Sequence, residues 1–241
     1  MDWTDEGIVL SARPQSEANA VVELLTREHG RHLGLVRGGR SRRQRPVLQP
    51  GNRVRASWRA RLSEHLGTYA IELVDARAAL VLDDRLALAG LSTLCALARL
   101  LPERDPHGPL YEAATLVLSH VGDSDIWPGL LVRWELELLN ELGFGLDLAS
   151  CAATGADKNL AFVSPKSGRA VSTEAGRPYE DRLLPLPRFL AASATEAPTL
   201  QDVLAGFALT GHFLESHVFA PRGLDMPEAR GRLVAAMARK A

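Results

Sequence analysis

The segment RVRASWRARL, residues 53–62, alternates without a break. Val54, Ala56, Trp58, Ala60 and Leu62 fall on one side; Arg53, Arg55, Ser57, Arg59 and Arg61 fall on the other. A period of two belongs to a strand with one buried and one solvated face. This stretch therefore demands a sheet with a core on one side only. Four further short segments surround it: GIVLSA (7–12), AVVELL (20–25), HLGLVR (32–37) and TYAIELV (68–74). The turn before the third contains Gly30, which tolerates the positive φ of a tight hairpin. Five short strands with mostly brief connections, antiparallel by turn length, predict a small, partly open barrel.

The pattern changes after Leu80. Residues 85–101 and 110–121 read as apolar helices separated by the Pro/Gly-rich PERDPHGP. A third helix spans 127–145, with Pro128 in its first turn and Gly143 at its stop. Leu131, Trp134, Leu138 and Leu142 form its buried stripe, and Leu200, Leu204, Phe207, Gly211, Leu214 and Val218 repeat that spacing later. Residues 227–240 form a last helix carrying Arg230, Arg232, Arg239 and Lys240, read either as a solvated end or as a partner surface. Residues 146–190 read as irregular. The expected organisation is a strand-built domain over 1–80 and a helical domain over 81–241.

Charge decides where function is sought. The 28 basic and 29 acidic residues nearly cancel. Yet between Glu28 and Glu64 there are ten arginines and no acid: Arg31, Arg37, Arg40, Arg42, Arg43, Arg45, Arg53, Arg55, Arg59 and Arg61. A balanced chain with its whole imbalance in one stretch points to a surface facing a polyanion. Cations neutralise backbone phosphates and release counterions without reading sequence. Aromatic platforms are sparse in the barrel, only Trp3, Trp58 and Tyr69, so backbone charge should dominate over base stacking. The competing reading is a solvated face in an arginine-rich protein.

Enzymatic signatures are missing. The sequence holds no GxxxxGK[ST], HExxH or GxSxG motif, so no catalysis and no cofactor are expected. His212 and His217, five apart on one helix, do not share a face for a metal. Asp83 and Asp84 precede a helix and suit capping. No run of 18 apolar residues occurs, the acidic N-terminus lacks the pattern of a secretory signal, and two distant cysteines fit a reducing compartment. A cytoplasmic, nucleoid-associated protein is expected.

Several stretches together resemble the RecO family of bacterial recombination mediators. SARPQSEANAVVELLTREHGRHLGLVRGGRSRR followed by LQPG resembles that family's first barrel strands and basic linker. RWELELLNELGFGLDLASC resembles its central helix and the following turn; AFVSPKSGRAVSTEAG and LLPLP resemble its C-terminal region. The resemblance implies an α+β multidomain chain: a five-stranded OB-fold barrel, then a mainly helical domain with a zinc-finger-like insertion at about 146–190. It implies binding of single- and double-stranded DNA, annealing of complementary strands, and partnership with the single-strand binding protein SSB, with RecR and, in some systems, RecF, in loading the RecA recombinase. On this resemblance Arg133 sits where a cation would meet the acidic, phenylalanine-ended SSB tail; the rival reading pairs it with Glu137. Some family members bind zinc through two Cys-x-x-Cys pairs. Here those positions read Cys151 to Thr154 and Ser172 to Ala175, one thiolate of the four ligands a structural zinc wants. The insertion is therefore expected to be degenerate, without metal, and packed around Phe162 and Val171 with Gly155 and Gly168 in turns and Cys151 as a small buried apolar residue. A protein-gathering adaptor and an RNA-binding barrel are the alternative functions.

Overall fold

The structure, a computed structural model, describes residues 1–191 and 197–240. The chain divides into two compact units, Met1–Trp127 and Pro128–Ala241.

In the first unit, β1 (Asp2–Pro14), β2 (Ala20–Thr26), β3 (Gly30–Val36), β4 (Arg53–Arg59) and β5 (Thr68–Asp75) close into a barrel in the order β1-β2-β3-β5-β4. All pairings are antiparallel except β3 with β5, which run parallel through Leu35↔Thr68 and Val36↔Tyr69. The uniformly antiparallel expectation fails at this pair. Two strands that run the same way need a long crossover between their ends, and the chain from 37 to 67 contains the loop 37–52, β4 and a turn. Long β1 serves two neighbours, pairing with β4 through its first half and with β2 through its second. A bulge between Val9 and Ser11 lets it bend.

The inward residues predicted for β4, Val54, Ala56 and Trp58, do lie in the barrel core. The alternation ends sooner than it reads: β4 stops at Arg59, where β5 begins opposite at Thr68, and Leu62 is 45% exposed. Gly30 takes φ +63° at the β2–β3 hairpin, where Thr26 Oγ1 donates to its carbonyl at 2.8 Å. At one end of the interior, Trp3, His32, Trp58 and Tyr69 pack edge to face and offset. His32 Nδ1 lies 3.0 Å from the Tyr69 hydroxyl. Burial, aided by the positive charge of Arg104, drops the His32 imidazole to about 4.

Beyond the barrel come a single turn, α1 (Arg77–Leu80), then α2 (Arg85–Ala98) and α3 (Gly108–Ser119). Asp84 caps α2 as expected, its carboxylate accepting from the Leu86 and Ala87 amides. Helix α2 ends three residues before the expected 101. It is tied to the barrel by Arg99, whose Nε donates to buried Glu23 at 2.7 Å, and by the Cys95 thiol donating to the Val9 carbonyl.

The second unit is built on α4 (Trp127–Glu141), which begins at the division between the units. Its stop is a double hydrogen-bonded cap: Gly143, at φ +85°, donates to Asn140, and Phe144 donates to Leu139. The region read as irregular contains β6 (Leu160–Val163), β7 (Ala170–Ser172) and β8 (Leu184–Pro185) in a sheet of order β7-β6-β8, with the short α5 (Thr173–Gly176). Strands of two to four residues are too short to show a period. Gly155 and Gly168 do adopt positive φ, and Val171 is buried.

Next come α6 (Leu200–Phe213), continued by a wide turn at Leu214–Phe219, and α7 (Glu228–Ala238). Arg230 is no solvated cation. It is buried, and its Nε and Nη2 meet the two oxygens of fully buried Glu135 at 2.8 and 2.9 Å. Nη2 also donates to the Phe207 carbonyl, and Thr210 Oγ1 donates to Glu135 at 2.5 Å. Arg232, by contrast, makes an exposed pair with Glu228 one turn away.

Two outcomes follow from these buried groups. Arg230→Met strands an uncompensated carboxylate, so chemical denaturation should show a loss of about 3–5 kcal/mol, largely recovered in the Glu135→Leu/Arg230→Met double variant. His32, being depressed, contributes stability that is present above about pH 6.5 and is lost as pH falls toward 4. The loss should approach 3 kcal/mol, roughly, by linkage, and His32→Gln should flatten that part of the stability–pH curve.

Candidate nucleic-acid interface

The acid-free stretch folds into three structural environments, and they treat its ten arginines differently. Arg31 projects from the outer side of β3, alternating with interior His32, toward the segment after α2. Its Nη1 meets buried Glu23 at 2.5 Å and its Nε donates to the Leu101 carbonyl at 2.6 Å. Arg31 is thereby committed to holding the barrel against the segment after α2. Burial alone would raise the Glu23 carboxyl; hydrogen bonds from Arg31 and Arg99 outweigh it and leave the group lowered.

The strand arginines are partly balanced from the neighbouring strand. Arg53 pairs with Glu6 at 2.9 Å, Arg55 approaches the same carboxylate at 3.9 Å, and Arg59 lies 3.7 Å from Asp2. Because β1 lies beside β4 in register, acids distant in sequence come to sit against these cations. Only Arg53 is half-buried; Arg55, Arg59 and, in the following turn, Arg61 are exposed.

The loop 37–52 is the third environment. It is ordered by its own backbone: Ser41 donates to Gly38, Arg45 to Ser41 and Leu48 to Gln44. Leu48 is buried in the barrel core, and buried Asn52 donates from Nδ2 to the Pro46 and Val47 carbonyls while its Oδ1 accepts from the Ala78 amide. On the other side Arg40 fastens the loop to the β1–β2 turn, Nη1 donating to the Ser16 carbonyl and its amide to Ala18. Gly38 takes φ +66°, and a Cβ on Gly39 would come 2.9 Å from that of Ala20. Gly38 is thus required by its backbone conformation, with open space around it, and Gly39 by close contact with the barrel. What remains is a rigid loop presenting Arg37, Arg42, Arg43 and Arg45, all exposed and without an acidic partner among the described residues.

Beside this loop runs an open groove of about 1230 Å³, larger than the ~300–1,000 Å³ of small-molecule sites. Arg37, Arg43 and Gln44 form one wall; Thr4, Ser57 and Ala70 of β1, β4 and β5 contribute to its floor. Sequence reasoning found the cations. It missed the groove, which depends on the barrel closing, and the anchors Leu48 and Asn52, which show no pattern of their own.

In the second unit, exposed Arg133 borders a smaller pocket of about 270 Å³ lined by Leu136, Leu146, Leu148 and Leu190. Its guanidinium donates to the Phe189 carbonyl and lies over the Phe189 ring, 5.7 Å from the centroid. Glu137 lines the same pocket and accepts from Asn140.

Comparison with known proteins decides the family. A family model described as Recombination protein O N terminal matches residues 1–77, and one described as Recombination protein O C terminal matches residues 82–224. The chain belongs to the RecO family. Relatives named DNA repair protein RecO include one from Methylobacterium nodulans, 58% identical over 239 residues, covering 98% of this chain and 97% of the relative. One from Methylorubrum extorquens is 57% identical over 240 residues, 98% of each chain. One from Rhodospirillum centenum is 56% identical over 237 residues, 97% of this chain and 94% of the relative. The matched RecO regions take in the basic loop, the groove and the Arg133 pocket.

The RecO resemblance raised a zinc site in the insertion, and the side chains present do not fit one. At the four positions, Cys151 supplies the single sulfur. Among the described residues no three His, Cys, Asp or Glu side chains gather as a metal site requires. Cys151 is buried, as expected, but is not merely apolar. Burial raises its thiol; the Ser172 and Thr154 hydroxyls and the Ser172 and Ala153 amides outweigh this and bring it to about 6. The Ser172 amide lies 3.2 Å from the sulfur. Hydrogen bonds thus do the fastening that ligation would do. Elemental analysis after exhaustive dialysis should find well under one zinc per chain; a stoichiometric zinc would contradict this reading.

Proposed function

We propose that this protein is a DNA repair and homologous recombination mediator without catalytic activity of its own. It binds single- and double-stranded DNA, anneals complementary strands, and with RecR, and RecF where present, helps load RecA onto SSB-coated single strands. The observation that carries the reading is the ordered loop 37–52 with four unpaired arginines beside an open groove. A rigid cationic loop holds phosphate at a lower entropic cost than a floppy basic tail, because its backbone is already ordered before binding. Phosphate contacts fix position without reading sequence, which is what pairing of arbitrary complementary strands requires. Arg40, pinned to Ser16, supports the loop; Arg55, Arg59 and Arg61 extend the charge along β4 and beyond. The protein acts in the cytoplasm at the nucleoid.

For SSB, the Arg133 pocket offers what a tail ending in an acidic, aromatic terminus needs: leucine side chains for the ring and a guanidinium for the carboxylate. The Phe189 carbonyl and ring orient that guanidinium. A protein-gathering adaptor that touches DNA incidentally is the alternative; it predicts little dependence on salt.

Strand annealing with and without SSB tests both parts together. Arg42→Glu/Arg43→Glu/Arg45→Glu should abolish annealing while leaving the melting temperature nearly unchanged, since all three side chains are exposed. With four to six phosphates neutralised, log affinity for a single strand should fall against log salt with a slope of roughly −3 to −4. A flat slope, or annealing that survives the triple change, would favour the adaptor.

A further inference from the structure

Barrels of this topology commonly carry oligonucleotides across the outer face of strands 2 and 3, between the β1–β2 and β4–β5 loops. In this chain that face is taken. The outward residues at the centre of that side are buried: Ile8 of β1 and Glu23 and Leu25 of β2 are each at most 1% exposed. Helix α2 and the segment after it cover them. Arg99 reaches Glu23, and Cys95 reaches the β1 backbone. The segment 101–105 lies along the first half of β3: Arg104 donates its amide to the Arg31 carbonyl, and a Cβ on Gly30 would come 2.0 Å from the Asp105 carbonyl oxygen. Helix α3 joins the same side through the Arg27–Glu112 pair at 3.0 Å. The outward residues left on β2 and β3, Val21, Leu33 and Leu35, are apolar and half-buried and provide no cation.

The opposite side is open. Arg55, Ser57 and Arg59 of β4, and Ala70 and Glu72 of β5, are exposed, and the groove beside the loop 37–52 runs over Ser57, Arg59, Ala70 and Glu72. We infer that a bound single strand crosses the β1–β4–β5 face of the barrel rather than the β2–β3 face. This rests on the nucleic-acid reading above and adds the path. Charge also sets which edge of the strand faces which wall. The unpaired cations Arg37 and Arg43 line the loop side, whereas on the floor Asp2 and Glu72 stand with Arg59, whose charge Asp2 answers at 3.7 Å. Phosphates therefore lie along the loop, and the bases turn toward Thr4, Ser57 and Ala70. There the carboxylates of Asp2 and Glu72 face the amino donors of bases and repel backbone phosphate.

The test uses the full chain with a photoreactive benzophenone side chain placed singly at Ser57, Ala70, Val21 or Arg13 and a fluorescent oligodeoxycytidine. Arg13, exposed at the end of β1 beside the β1–β2 turn, samples the other path. Crosslinking at Ser57 and Ala70 should exceed that at Val21 and Arg13 at least tenfold. Equal or reversed yields would overturn the path while leaving DNA binding intact. Ser57→Glu should weaken binding about tenfold and Arg13→Glu less than twofold; the opposite ranking overturns the path independently of the probe chemistry. If the unaltered protein fails to shift the anisotropy of the oligonucleotide at low salt, the nucleic-acid reading itself falls, and the path with it.

Discussion

Barrel closure through the parallel β3–β5 pair is the constraint on which the rest depends. Closure requires the chain to leave β3, pass around the end of the barrel, form β4 and return beside β3. The passage is the loop 37–52, and closure leaves it little freedom. Leu48 is buried with the apolar residues of the barrel core, and Asn52 ties the loop's carbonyls to the first helical turn after β5. A stretch that in isolation would be a soluble basic segment becomes a rigid rim. Its arginines stand off the surface because the residues between them are anchored.

Charge follows from the same topology. The ten arginines share one sequence neighbourhood but not one fate, since the acids that answer them come from β1, β2 and the segment after α2. Arg31 is consumed by Glu23, and Arg53 is balanced by Glu6. The arginines of the loop are met by no carboxylate within ion-pair distance among the described residues, although Asp2 and Glu72 lie across the groove. The surface facing a polyanion is therefore narrower than the acid-free stretch suggests, and it is better defined. In the second unit a comparable sorting occurs: Arg230 is withdrawn to pair with Glu135, and Arg133 is left at a pocket's rim.

Much of this was legible in the sequence. The alternation in RVRASWRARL placed Trp58 inside and Arg55 and Arg59 outside, and Gly143 and Asp84 marked helix ends by their backbone and capping chemistry. What was illegible depends on long-range partners. The parallel closure, the early end of β4 at Arg59 and the burial of Arg230 are set by segments far away in the chain. The short strands around Phe162 and Val171 carry too few residues for a period. Cys151 read as a small apolar residue because the hydrogen-bond partners of its sulfur, the amide and hydroxyl of Ser172 in particular, arrive only on folding.

The central claim is that the fold sorts its arginines into free and committed groups, and that the free ones hold phosphate. Arginine-specific modification with phenylglyoxal, read residue by residue by mass spectrometry with and without a saturating oligonucleotide, measures this directly. Arg37, Arg42, Arg43 and Arg45 should react quickly in the free protein and be protected by the oligonucleotide, while Arg31 and Arg230 react slowly in both states. Rapid modification of Arg31, or loop arginines that react equally with and without the oligonucleotide, would contradict the account.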